Sequence, residues 1–209
     1  MSGPRVLVTY GSRHGSTAEI AAAIAGVLRD GKLATDLAPA SDVADVASYD
    51  VVVVGSAVYL LRWHPDVVAF LGAHERALAA RVVWLFESGP LDDRPETRRR
   101  DLPPRVAAIA DRTGIRGRVT FGGRLRPSAE GVLEQLMTAG GLARDYREWD
   151  LIRAWARQIA DDDPANVLRL LAPTRRTRPT GDDRRLPAER IRGTTVPTAA
   201  IRRPLLQTT

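Results

Sequence analysis

Residues 5–17 read RVLVTYGSRHGST, and the change of character inside that stretch decides the fold. Arg5–Tyr10 is short, β-branched and almost continuously apolar, the pattern of a strand covered on both faces. Gly11–Thr17 turns small and hydroxyl-rich and runs straight into a helical pattern. From Thr17 to Asp30 the apolar residues Ile20, Ile24, Val27 and Leu28 fall on one helical face, and Gly31 ends it. A buried strand, a glycine-containing turn and an amphipathic helix, in that order, open a βαβ unit.

The same alternation continues outward. Leu33–Ala38 is a weaker, more polar strand suited to a sheet edge, and Val51–Ser56 (VVVVGS) is the strongest strand signal in the chain. Pro65–Ala80 is helical, with Val67, Val68, Leu71 and Leu78 as its buried stripe. Arg81–Phe86 is a fourth strand, Pro95–Arg112 a helix, Arg118–Gly122 a fifth strand, and Trp149–Ala160 a last helix with Ile152, Trp155, Ala156 and Ile159 inward. Five strands alternating with helices predict an α/β fold, a doubly wound parallel sheet of order 2-1-3-4-5 with right-handed crossovers. Two stretches stand outside the alternation. One is an insertion at about 124–148, with an apolar helical face at Val132, Leu133, Leu136 and Met137. The other is the tail 162–209, rich in Pro, Thr and Arg and without apolar period, read as mostly disordered beyond Pro173.

Composition narrows the chemistry. The 209 residues include no cysteine, which excludes disulfide frameworks, Cys-ligated zinc, iron–sulfur clusters and thiol nucleophiles. His14, His64 and His74 are scattered, a poor basis for a metal centre. The net charge of +6 is uneven: residues 162–209 hold 10 Arg against 5 acidic residues, while residues 1–161 hold 21 Lys and Arg against 20. A basic tail suits acidic partners such as nucleic acid or anionic lipid, or is simply a solvated extension; nucleic acid is the less favoured partner. No stretch approaches the ~18–20 consecutive apolar residues that span a bilayer. Met1-Ser2-Gly3-Pro4 leads directly into a core strand, so no signal peptide and a cytoplasmic location are expected.

In an open parallel sheet a ligand binds beyond the carboxyl ends of the strands, where strand order reverses. That places the loops after the first and third strands, Gly11–Thr17 and Ser56–Trp63, at the site. The first loop brings backbone N–H groups, hydroxyls and a helix N-terminus to one spot, which suits a terminal monophosphate. It is neither a Walker A loop nor a G-x-G-x-x-G fingerprint. Ser16-Thr17-Ala18-Glu19 also has the form of a capping box, which accounts for Ser16 and Glu19 without a ligand but not for Ser12, Gly15 and Thr17. Tyr59 either flanks a bound ring or closes the strand end, and Trp63 is read as packing near Pro65. His64 and His74 read as surface or helix-face positions. Ser88, in Glu-Ser-Gly-Pro, is no hydrolase elbow. Arg98-Arg99-Arg100 is a solvated face or an attractor for substrate carboxylates.

Tyr10-Gly11-Ser12-Arg13-His14-Gly15-Ser16-Thr17 resembles the T/S-x-T-G-x-T phosphate loop of the flavodoxin family, with His14 in place of the usual middle hydroxyl residue. The resemblance covers roughly residues 5–160 and implies an FMN-binding domain at 1–161. Ser12, Arg13, His14, Gly15, Ser16 and Thr17 would hold the phosphate. Ser56, Ala57, Val58 and Tyr59 would lie along the isoalloxazine ring, with Glu87, Ser88, Gly89, Pro90 and Leu91 from the fourth-strand loop. Within the family, GSAVYLLRWHPDVVAFL (55–71), Gly122-Gly123-Arg124-Leu125 and Asp145-Tyr146-Arg147-Glu148-Trp149-Asp150 resemble the quinone-coupled protoporphyrinogen oxidases. That resemblance implies a flavoprotein oxidoreductase of haem biosynthesis. Porphyrinogen would be the substrate and a quinone or redox protein the electron acceptor, with weak docking to anionic membrane through the tail and a possible homo-oligomer. The alternative is a flavodoxin-like electron carrier or interaction module with no small-molecule substrate.

Overall fold

The computed structural model describes residues 3–59, 62–89, 101–124 and 145–162. Strand β1 (Arg5–Gly11) leads to helix α1 (Ser16–Asp30), edge strand β2 (Ala34–Pro39) and a single 3₁₀ turn at Ala40–Asp42. Then follow β3 (Val51–Tyr59), the short β4 (Arg62–Trp63), α2 (Pro65–Leu78), β5 (Val82–Gly89), α3 (Pro104–Thr113), β6 (Gly117–Gly122) and α4 (Trp149–Asp161). The parallel strands lie in the order β2-β1-β3-β5-β6, which is the expected 2-1-3-4-5. Strand β4 pairs antiparallel with the end of β3 through Val58–Trp63 and Tyr59–Arg62. Among the described residues no helix is long and apolar enough to cross a membrane.

Consecutive strand residues feed opposite faces, so both cores draw on the same apolar runs. Val6, Val8, Val51, Val53, Trp84, Phe86 and Phe121 pack against Ile20, Ile24 and Leu28 of α1 and Ile152, Trp155 and Ile159 of α4. Leu7, Val52, Val54, Val83 and Leu85 pack on the other side against Val67, Phe70, Leu71 and Leu78 of α2 and Val106 and Ile109 of α3. The first core is aromatic at its centre: Trp155 meets Trp84 edge to face at 5.8 Å and Phe121 at 5.7 Å. Gly55 makes room for this layer, since a Cβ there would sit 2.0 Å from the Phe86 ring.

Four expectations need correction. Strand β3 does not stop at Ser56 but runs to Tyr59, because it pairs onward with β5 and folds back on β4. The described part of α3 begins at Pro104 and not at Pro95; residues 101–103 are not helical, because a residue preceding proline is pushed out of the α region and Pro104 suits N1. In α2 the buried stripe is Val67, Phe70, Leu71 and Leu78; Val68 is only half-buried. Glu87 and Ser88, expected in a loop, lie inside β5 with a strand on each side. Pro90, Leu91, Arg98–Arg100, the apolar face at Val132, Leu133, Leu136 and Met137, and the tail from 163 lie outside the described residues.

Candidate cofactor site at the carboxyl ends of the strands

The last residue of β1, Gly11, lies against the N-terminus of α2: a Cβ there would meet Val67 Cγ2 at 2.6 Å and His64 at 2.7 Å. The chain then turns through Ser12–Gly15. Gly15 takes the N-cap position of α1 with φ 83°, a left-handed conformation that costs glycine little. As a glycine it brings no capping side chain. The capping-box reading of Ser16 and Glu19 is therefore wrong, for Ser16 is already the first helical residue. Its Oγ accepts the Arg124 backbone N–H at 3.1 Å, while the Glu19 carboxylate pairs with Arg124 at 2.8 Å and Arg147 at 2.6 Å.

With a glycine as its N-cap, the first turn of α1 presents backbone N–H groups toward this spot. Beside them the Ser12 hydroxyl is buried without a hydrogen-bond partner, as is the Thr9 hydroxyl further down β1. Thr17 is 1% exposed and Ser16 is buried, whereas Arg13 and His14 face solvent. A buried hydroxyl left without a partner costs about 1–3 kcal/mol, so the Ser12 hydroxyl suits a group that accepts a hydrogen bond at the loop. An anion seated at the loop would satisfy Ser12 and the helix N–H groups together.

Across the crevice, the Arg13 guanidinium stands 5.5 Å from the centre of the Tyr59 ring, so the first loop touches the end of β3. The Ser56 hydroxyl is already engaged, accepting the His64 N–H at 2.9 Å and donating to the Ala57 carbonyl at 3.0 Å. Ala57, Val58 and Tyr59 are half-buried on the β3–β4 hairpin. Glu87 is 2% exposed and accepts Trp63 Nε1–H at 2.7 Å and the Thr120 hydroxyl at 3.2 Å. It lies beneath the hairpin and braces it. Ser88 is buried, and Gly89 lies against Val58, with the Val58 carbonyl 3.3 Å from a Cβ placed there.

His64, read from sequence as a surface or helix-face residue, is the N-cap position of α2. Its ring rests on Gly11, and its Nδ1 is buried without a hydrogen-bond partner, 3.7 Å from the Asp66 carboxylate. Pro65 at N1 was the available signal, since proline there makes the preceding residue the cap. Arg124 and Arg147 were also missed, because no local spacing ties them to Glu19. Their ion pairs join positions more than a hundred residues apart. The Arg147 guanidinium beside Asp145 holds that carboxyl below its ordinary range.

Residues 7–137 match the flavodoxin domain family. No curated protein matches the chain by sequence. By structure the chain is similar to rubredoxin oxygen:oxidoreductase from Desulfovibrio gigas, with a TM-score of 0.53 and 14% identity over 81% of this chain and 37% of that one. It thus spans little more than a third of that protein. It is also similar to the Megasphaera elsdenii flavodoxin in its two-electron reduced form (TM-score 0.43, 23% identity, 56% of this chain and 82% of that one). A third likeness is to a WrbA-like flavodoxin from Agrobacterium tumefaciens (TM-score 0.49, 15% identity, 80% and 99%). The partnerless Ser12 hydroxyl and the glycine-capped start of α1 fit the phosphate of FMN. With the family model covering most of the described sheet, the chain belongs to the flavodoxin domain family, and FMN is its cofactor.

Proposed function

We propose that the protein is an FMN-dependent oxidoreductase similar to the menaquinone-dependent protoporphyrinogen oxidases, taking electrons from a porphyrinogen and passing them to a quinone. The observation that carries the FMN reading is the buried Ser12 hydroxyl, without a partner among the described residues, beside a helix start capped by glycine at the point where strand order reverses. The finer reading rests on the stretch 55–71 and on Gly122-Gly123-Arg124 and Asp145-Tyr146-Arg147, the segments through which the chain resembles those oxidases.

Bound FMN supplies the redox chemistry, and the protein supplies binding, orientation and access. Ser12, Thr17 and the N–H groups opening α1 would hold the phosphate, with Ser16 beside them. The half-buried stretch Ala57–Tyr59 and the end of β5 at Ser88–Gly89 would lie along the ring. Tyr59, with Arg13 over its face, offers an aromatic surface there. Glu87 acts indirectly, by holding Trp63 and with it the hairpin that carries Tyr59. No side chain has to act as a nucleophile, which suits a chain without cysteine.

Purified protein reconstituted with FMN should show flavin absorption bands. It should oxidise protoporphyrinogen when menaquinone is added. Ser12→Ala combined with Thr17→Ala removes hydrogen bonds to a charged acceptor worth about 1.5–3 kcal/mol each. FMN affinity should fall at least tenfold in that double variant; unchanged binding in a titration would mean the phosphate lies elsewhere. Flavin that is reduced only through a partner reductase, with porphyrinogen left untouched, would favour the electron-carrier reading.

A further inference from the structure

After β6 the chain departs at Arg124 and returns at Asp145, and these two residues meet in an isolated antiparallel bridge. The return runs so close to β6 that a Cβ at Gly122 would lie 1.9 Å from the Tyr146 carbonyl oxygen. The Tyr146 N–H donates to the Gly123 carbonyl at 3.0 Å, and the Gly123 N–H to the Gly89 carbonyl at 2.7 Å. This stem lies against the first turn of α1. Arg124 donates its backbone N–H to Ser16 Oγ and its Nη2–H to Glu19 Oε1, at 3.1 and 2.8 Å. Arg147, whose side chain is 3% exposed, donates to Glu19 Oε2 at 2.6 Å and to both oxygens of Asp145 at 2.8 and 2.6 Å.

These contacts act on the helix end that faces a bound phosphate. Glu19 sits in the first turn of α1, where an unpaired carboxylate would repel a dianion; the two guanidiniums offset it. A serine hydroxyl has one hydrogen to give, and because Ser16 Oγ accepts from Arg124, that hydrogen is aimed away from the Arg124 N–H. Arg124 also keeps one buried donor, Nε–H, that has no acceptor.

We propose that the Arg124 guanidinium is a positioning group of the phosphate cradle, neutralising Glu19 so that the N-terminus of α1 accepts a phosphate monoester dianion, while the Arg124 backbone N–H, which every substitution below retains, holds Ser16. The proposal rests on FMN being the ligand of the Gly11–Thr17 loop. Riboflavin, which has the ring and no phosphate, separates the two ideas. In titrations of the full chain, Arg124→Ala should weaken FMN binding at least fivefold while riboflavin binding stays within twofold of wild type. Arg124→Lys should recover part of the FMN loss. Equal weakening of both ligands, or no change in either, would overturn the proposal. Should Arg124→Ala not fold, as judged by its thermal transition without ligand, Arg124→Gln carries the same expectation with the stem better filled. A wild-type chain that binds no FMN would instead overturn the reading of the loop itself.

Discussion

Glu87 is a carboxyl group buried in a sheet of valines and aromatics, and its two hydrogen bonds account for its being tolerated there. Trp63 donates to one oxygen at 2.7 Å and Thr120 to the other at 3.2 Å, so the group has a partner at each oxygen. The arrangement ties β4, β5 and β6 together at the end of the sheet proposed to hold the cofactor. Trp63→Phe keeps an aromatic ring but strands one carboxyl oxygen, so it should lower unfolding stability by about 1–3 kcal/mol. Glu87→Gln keeps an acceptor for Trp63 and should cost less. Urea unfolding of both variants checks the ranking, and a Trp63→Phe midpoint equal to wild type would show that the bond contributes nothing. Nothing local in the sequence marks this pair. Glu87 reads as the start of a polar loop, and only the register of β5 between β3 and β6 places it indoors.

At the scale of elements, what was legible follows from periodicity, and what was not follows from long-range pairing. Val51–Ser56 is unmistakable as a strand. Its continuation through Ala57–Tyr59 is not, because Val58-Tyr59-Leu60-Leu61-Arg62-Trp63 has no Gly, Pro, Asn or Asp to announce a hairpin. The start of α1 misled for the opposite reason. A good local signal, Ser16 followed by Glu19, was overruled by Gly15 taking the cap and by two arginines from beyond β6 claiming Glu19. Glycines separate the two kinds of constraint. Gly26 lies within α1 with nothing within 4 Å of a Cβ, so Gly26→Ala should raise stability by about 0.5–1 kcal/mol through helix propensity. Gly122→Ala, which drives a methyl into the Tyr146 carbonyl, should instead lower the thermal midpoint. Opposite signs are expected from one calorimetric comparison, and a Gly122→Ala variant as stable as wild type would mean the stem is not held against β6.

Ion pairs between elements give the whole molecule a dependence on pH with a definite sign. Arg147 lowers the Asp145 carboxyl, Arg116 lowers Asp162 across the start of β6 and the end of α4, and Arg112 of α3 lowers Glu75 of α2. A carboxyl whose folded pKa lies below its unfolded value of about 4 binds fewer protons in the folded state. Its contribution is complete above that value and is lost as pH falls through the folded pKa. Stability should therefore hold through neutral pH and decline below about pH 4, and Asp145→Asn should make that decline shallower. At the alkaline end Tyr49 has the opposite sense: burial first, then its bond to Asp36 at 2.9 Å, raises its pKa. That contribution is present below about pH 10 and lost as the hydroxyl ionises at higher pH.

The largest asymmetry of the molecule is its charge. Residues 1–161 are close to neutral, and nearly all of the net +6 lies in residues 162–209, with 10 Arg against 5 acidic residues. Under the proposed function the acceptor is a quinone, which resides in the bilayer, so the protein would have to visit that surface. Near an anionic leaflet each Arg contributes up to about 1 kcal/mol, and less where acidic residues intervene. Asp182, Asp183 and Glu189 do so here. The attraction is electrostatic, so it should weaken with salt as screening shortens its range to about 10 Å at 0.1 M. We therefore expect full-length protein to sediment with vesicles rich in anionic lipid at low ionic strength, and to leave the pellet as salt is added. It should not sediment with neutral vesicles. Removing residues 173–209 takes away 9 of those 10 arginines and should abolish most of the binding. FMN affinity, assigned in the proposed function to the Gly11–Thr17 loop, should be unaffected by the same truncation. Equal sedimentation with both kinds of vesicle, or none with either at low salt, would refute docking through the tail and leave the phosphate site as it stands.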